Sequence, residues 1–146
     1  MTEPRFAIAV GHFYAELAER LVAGAQDVLV AATGTPADVF EVPGAFELPL
    51  AAKYAAESGR YAGVVCLGAV IRGETAHFEH VAGQAAAGIR EAAEASGVPV
   101  SFGVLTTETL EQALDRAGGK HGNKGWDAAV AAIEMASLLE QLPKEG

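Results

Sequence analysis

Gly68-Ala69-Val70-Ile71-Arg72-Gly73-Glu74-Thr75-Ala76-His77-Phe78-Glu79-His80-Val81 follows a short apolar run, Gly63-Val64-Val65-Cys66-Leu67. The run is β-branched at its centre and reads as a strand buried on both faces. Downstream, His77 to Ala95 is rich in Ala, Glu and Gln, with apolar residues at helical spacing. The stretch is therefore a strand-to-helix turn. In an open parallel sheet that carboxyl edge is where ligands bind. Gly73 permits close backbone approach or a positive φ. Glu74 and Thr75 fall where a helix begins and free backbone N–H groups point outward, an arrangement that attracts an anion, typically a phosphate. His77 lies on the first helical turn, beside that anion site. The same residues also read as a plain turn, with Thr75 as an N-cap and His77 as a surface histidine. The remainder of the chain has to decide.

Working outward, strand and helix signals alternate. Arg5 to Val10 is an apolar strand ending at Gly11, and His12-Phe13-Tyr14 is its turn. Ala15 to Ala32 is a helix with Leu17, Leu21, Val22, Ala25, Val28 and Leu29 on one face. Asp38 to Val42 is a second strand. Ala45-Phe46-Glu47 opens a second helix running to about Ser58-Gly59. The third helix stops at Ser96-Gly97, and Pro99 to Thr106 holds a fourth strand. A helix at Leu110 to Ala113 breaks at Gly118 to Asn123, and Lys124 to Leu142 forms the last one. Strand and helix thus alternate four times, with one extra helix. That pattern predicts an α/β three-layer αβα sandwich with a four-stranded parallel sheet, as one domain over 1–146. The strand tips then gather at one sheet edge. There an exposed Phe13 beside Tyr14 is better explained by a planar ligand ring stacking on it than by folding.

Bulk composition narrows the function classes. The chain has 146 residues and a formal net charge of −9, with a pI near 4.8. Such an acidic chain is a poor partner for nucleic acid or anionic membranes. The single cysteine, Cys66, cannot form an internal disulfide, and the reducing cytoplasm is its natural compartment. No signal peptide or membrane-spanning run is visible.

An anionic ligand must then be held by local positive groups. Arg116, Lys120 and Lys124 bracket the glycine-rich break. Arg gives fork-like, charge-assisted hydrogen bonds to a phosphate. A helix C-terminus also favours Arg116 and Lys120, but Lys124 begins the next helix, at the unfavourable pole. The break has no Gly-Lys-Ser/Thr after spaced glycine, so it is not a nucleotide P-loop, and no GxGxxG occurs. His77 and His80, with Glu74 and Glu79 nearby, lack metalloprotease spacing and a distant Cys/His set, which argues against a metal. His80 reads as solvent-facing or as a helix-surface hydrogen bonder. Without a G-x-S-x-G nucleophile, what remains is a histidine acid/base with cationic groups. That equipment suits condensation or elimination on a phosphorylated substrate.

Several motifs in register carry a resemblance: Val42 to Pro49, Gly68 to Val81, Phe102 to Thr107, Glu111 to Gly118, and Gly122-Asn123-Lys124-Gly125. In order and over nearly the whole chain, they resemble the lumazine synthase family of riboflavin biosynthesis. The resemblance implies a flavodoxin-like fold. It also implies condensation of 5-amino-6-(ribitylamino)pyrimidinedione with 3,4-dihydroxy-2-butanone 4-phosphate, giving 6,7-dimethyl-8-ribityllumazine, phosphate and water, with no cofactor and no metal.

Residue by residue, the resemblance makes Phe13 the ring that stacks on the pyrimidine. Ala45, Phe46 and Glu47 hold the ribityl chain, and Val70 and Ile71 offer backbone to the pyrimidine edge. Gly73, Glu74 and Thr75 form the phosphate turn. His77 transfers protons, Arg116 is the main phosphate ligand, and Lys124 is a second contact near the ribityl chain or phosphate. Phe102 enters from a neighbouring subunit. Small-molecule substrates and a homopentamer are implied, with riboflavin synthase a candidate partner. The kink at Gly118 to Asn123 is similar to that of members packing twelve pentamers into an icosahedral shell. Departures are His12 where the family commonly has Arg, Tyr14 where it often has Asn, and a start about ten residues late, which would leave a sheet edge unpaired. A non-catalytic lumazine- or flavin-binding or shell-forming relative is the alternative. It would be expected to lose His77 or Arg116, and both are present.

Overall fold

The computed structural model describes residues 4–73 and 77–143. Strand β1 (Phe6–Gly11) leads to helix α1 (Ala15–Thr33). Strand β2 (Asp38–Val42) is followed by a 3-10 turn (Ala45–Glu47) and α2 (Leu48–Glu57). Strand β3 (Gly63–Ile71) precedes α3 (His77–Ser96), and β4 (Val100–Thr107) precedes α4 (Leu110–Asp115). A small hairpin, β5 (Ala117–Gly119) and β6 (Gly122–Asn123), leads into α5 (Lys124–Gln141).

The main sheet is parallel throughout, in the order β2-β1-β3-β4. Strand side chains alternate between faces. Ile8, Val10, Val65, Leu67 and Leu105 face a core built with Leu17, Leu21 and Leu29 of α1 and Ala128, Ala129 and Ala132 of α5. Ala7, Ala9, Val64, Cys66 and Val104 face a second core with Leu48 and Ala52 of α2 and Ile89 of α3. Two cores on two faces of one sheet make the expected three-layer αβα sandwich of flavodoxin-like type. Burial pushes the Cys66 thiol up to about 12, so it packs as a neutral apolar group.

Three local expectations are corrected. Strand β3 continues to Ile71 instead of ending near Leu67, because β4 pairs with it the whole way, Gly68 with Val104 through Ile71 with Thr107. The first four residues of the opening stretch, Gly68 to Ile71, are therefore strand. Ala45 to Glu47 is a 3-10 turn, and α2 starts only at Leu48, with Pro49 in its first turn. Proline has no N–H to donate and fits where the helix has none to satisfy. The break after α4 is an antiparallel hairpin, turned by Gly118 and Gly122 at φ of 96° and 84°.

The hairpin ends in a cap. Asn123 Oδ1 accepts from the Gly125 and Trp126 N–H groups at 2.8 and 3.1 Å, and its Nδ2 donates to the Arg20 carbonyl at 3.1 Å. One side chain thus starts α5 and ties it to α1. Gly125 is required where these helices cross, because a Cβ there would overlap the Leu21 carbonyl. Asn123→Ala is expected to cost about 1–2 kcal/mol, the upper range for a lost cap. A urea midpoint lowered at fixed protein concentration, with unchanged slope, would register that loss. An unchanged midpoint would mean that the cap carries no stability.

Candidate active site

With β1 and β3 adjacent and their chain connections leaving in opposite directions, the topological switch point lies between them. A crevice forms there, outside the carboxyl ends of the strands. The crevice is a cavity of about 630 Å³. Phe13 and Tyr14 line it from the end of β1, Gly44 to Glu47 from the turn after β2, and Val70, Ile71 and Gly73 from the end of β3. The first turns of α3 add His77, Phe78, His80 and Val81.

Phe13 is 75% exposed. Tyr14 meets it edge-on, with ring centroids 4.9 Å apart and planes at 88°. That contact orients the Phe13 ring and leaves it open to a ligand plane. Phe46 is also largely exposed, whereas Ala45 is buried beneath the turn. Of the reasons offered for Gly73, a positive φ does not hold. A Cβ at Gly73 would meet open space beside the cavity, so close approach of a ligand remains. Glu74 and Thr75 lie outside the described residues.

Phe102, Arg116 and Lys124 are not brought to this cavity. They line a second cleft of about 360 Å³ along the edge strand β4, with Val104 to Thr107, His121 and Asp127. No lining residue is common to the two. Arg116 caps the end of α4, where its Nη1 donates to the Gln112 carbonyl at 3.0 Å. Among the described residues neither Arg116 nor Lys124 forms an ion pair. Phe102 is half-buried: it packs in part on the α2/α3 core and still lines the cleft.

Residues 3–140 match the sequence profile of the 6,7-dimethyl-8-ribityllumazine synthase family. This chain belongs to that family. Relatives of that name include one from Syntrophus aciditrophicus, 55% identical over 140 residues, covering 94% of this chain and 91% of the relative. One from Desulfatibacillum aliphaticivorans is 51% identical over 139 residues (94% and 90%), and one from Chloroherpeton thalassium is 49% identical over 142 residues (96% and 92%). Membership makes the chain a transferase of riboflavin biosynthesis acting on small molecules, and a purely binding relative is not favoured.

Within this lumazine synthase fold, the cavity is an apolar slot with few polar groups on its wall. Such a slot suits a planar heterocycle positioned by backbone and a few side chains. The second cleft is the cationic one. Among the described residues no group of three or more His, Cys, Asp or Glu is arranged to hold a metal ion, and no helix is long and apolar enough to cross a membrane.

Several lining residues went unassigned in the sequence. His80 lines the cavity, one turn from His77 on the same helix face. The i, i+3 spacing carried that signal, although the residue reads as solvent-facing. His121 and Asp127 join Arg116 and Lys124 in the second cleft. Only their place in and after the glycine-rich break pointed to them.

Proposed function

We propose that the chain condenses 5-amino-6-(ribitylamino)pyrimidinedione with 3,4-dihydroxy-2-butanone 4-phosphate, releasing phosphate and water and forming 6,7-dimethyl-8-ribityllumazine. Phe13 stacks on the pyrimidine, and the backbone of Val70 and Ile71 meets its edge. Ala45, Phe46 and Glu47 hold the ribityl chain, with the Glu47 carboxylate accepting from hydroxyls. Gly73, with Glu74 and Thr75, forms the phosphate turn. His77 moves protons during imine formation, phosphate elimination and ring closure. Holding two substrates together supplies much of the acceleration.

The observation that carries this reading is the slot at the switch point, with an exposed aromatic ring at one side and a histidine at the other. The division into two clefts adds a condition. Within one copy, Arg116 and Lys124 line a different cleft from His77. The site is therefore completed by a second copy, whose β4-edge cleft brings Phe102, Arg116 and Lys124 together over the first copy's cavity. The subunits form a pentamer, a closed ring of such head-to-tail contacts. Twelve pentamers pack into an icosahedral shell, a reading supported by the Gly118 to Asn123 kink. The enzyme works in the cytoplasm, with riboflavin synthase, which would consume its product, as a partner.

The test mixes the purified protein with both substrates and follows lumazine absorbance and phosphate release together. Equal amounts of the two products are expected. Binding of the pyrimidine without either product would support a binding role instead. Phe102→Ala is expected to raise the KM for the pyrimidine about tenfold, from lost apolar burial of about 1.5 kcal/mol. An unchanged KM would remove Phe102 from the site.

A further inference from the structure

Arg72 has no role in the site described above, yet it joins three elements beside it. Its backbone N–H donates to the Thr107 carbonyl at 2.9 Å, extending the β3–β4 ladder past the end of β3. Its Nε lies 2.8 Å from Glu108 Oε2, in the loop after β4, and its Nη2 lies 3.6 Å from Glu79 Oε1, in the first turn of α3. The guanidinium also sits over the Phe78 ring, 4.8 Å from its centroid. Phe78 lines the cavity next in sequence to His77.

Exposed ion pairs contribute little one at a time. Arg72 is different in geometry. A guanidinium that meets one carboxylate at 2.8 Å while lying over an aromatic ring is fixed in direction as well as distance. Its main-chain anchor on β4 gives that fork a rigid origin. The turn that carries His77 is thereby held against the strand pair and the loop behind it. We propose that Arg72 is a positioning residue for His77: it pins the first turn of α3 to β4 and the following loop, and so sets where the imidazole meets the substrate. This role rests on His77 as the proton-transfer residue.

The test compares Arg72→Gln in the otherwise native enzyme and in a His77→Ala background, measuring kcat and, separately, the Kd of the pyrimidine. Displacement of a reacting group by about 1 Å can cost about 100-fold. A loss in kcat of about tenfold or more is expected in the native background, with the pyrimidine Kd unchanged. In the His77→Ala background the same change should cost less than about twofold. Arg72→Lys should recover only part of kcat, because it restores the charge without the planar fork. If Arg72→Gln does not fold, Glu108→Gln carries the same comparison, since Glu108 lines neither cleft. Equal losses in the two backgrounds, a loss confined to Kd, or native kcat in Arg72→Gln would overturn the proposal. Native turnover in His77→Ala alone would overturn both the His77 assignment and this one. A slow His77→Ala enzyme with multiplicative losses would overturn the Arg72 role only.

Discussion

His77→Ala slows turnover by about 10²–10⁴-fold, the usual contribution of a positioned general acid/base, and leaves the affinity for the pyrimidine almost unchanged. The separation follows from the cavity. Phe13, Val70 and Ile71, proposed to hold the heterocycle, line the cavity from the β1 and β3 tips, whereas His77 lines it from α3. Removing the imidazole takes away a proton route without altering the stacking surface. Single-turnover absorbance and a separate binding titration check the two halves of this expectation. Native turnover would reduce His77 to a helix-start residue. A matching loss of affinity would make it a binding group.

Arg116→Ala weakens the phosphorylated substrate by about 10–150-fold, the equivalent of roughly 1.5–3 kcal/mol for a charge-assisted hydrogen bond. The chain carries a net charge of −9, so a phosphate depends on local positive groups, and Arg116 is the arginine of the cationic cleft. Arg116 is tied back to α4 through the Gln112 carbonyl, and among the described residues no carboxylate is paired with it. Its charge is therefore not spent within the chain. The KM for the butanone phosphate should rise while the pyrimidine KM stays nearly constant. Raised ionic strength should erode the native advantage, since screening weakens an exposed ion contact. An unchanged KM for the phosphorylated substrate would exclude Arg116 from the phosphate site.

Much of the fold was legible because period and punctuation agree. The run Gly63 to Leu67 has no polar position, as a strand covered on both faces requires, and α1 carries a single apolar stripe. The end of β3 was not legible. Gly68 carries a turn-like signal, and pairing with β4, a contact distant in sequence, holds it and Ala69 extended. The hairpin at 117–123 was hidden for a similar reason: glycines signal a break, but not that the broken chain pairs with itself.

In the site, Phe13 and His77 stood out because strand order alone brings their turns together. Which side of β4 receives Arg116 and Lys124 depends on how the hairpin and the Asn123 cap seat α5 against α1, and no local pattern encodes that. Residue patterns proposed Phe13, His77, Arg116 and Lys124 as candidates and the resemblance added the rest, but only Phe102 was expected from a neighbouring subunit, whereas one copy lines two clefts with them. Arg72 escaped notice because its partners, Phe78, Glu79 and Glu108, acquire meaning only once α3 and β4 are in place.

The composite site is tested most directly by mixing. His77→Ala and Arg116→Ala chains are purified separately, then unfolded and refolded together in equal amounts, and lumazine formation is followed. If each site combines the cavity of one copy with the cleft of the next, about one in four random contacts joins two intact halves. With the butanone phosphate held well below its native KM, the mixture should then recover roughly a quarter of native activity, more than either parent alone. Activity no greater than the average of the two parents would contradict a site shared between copies.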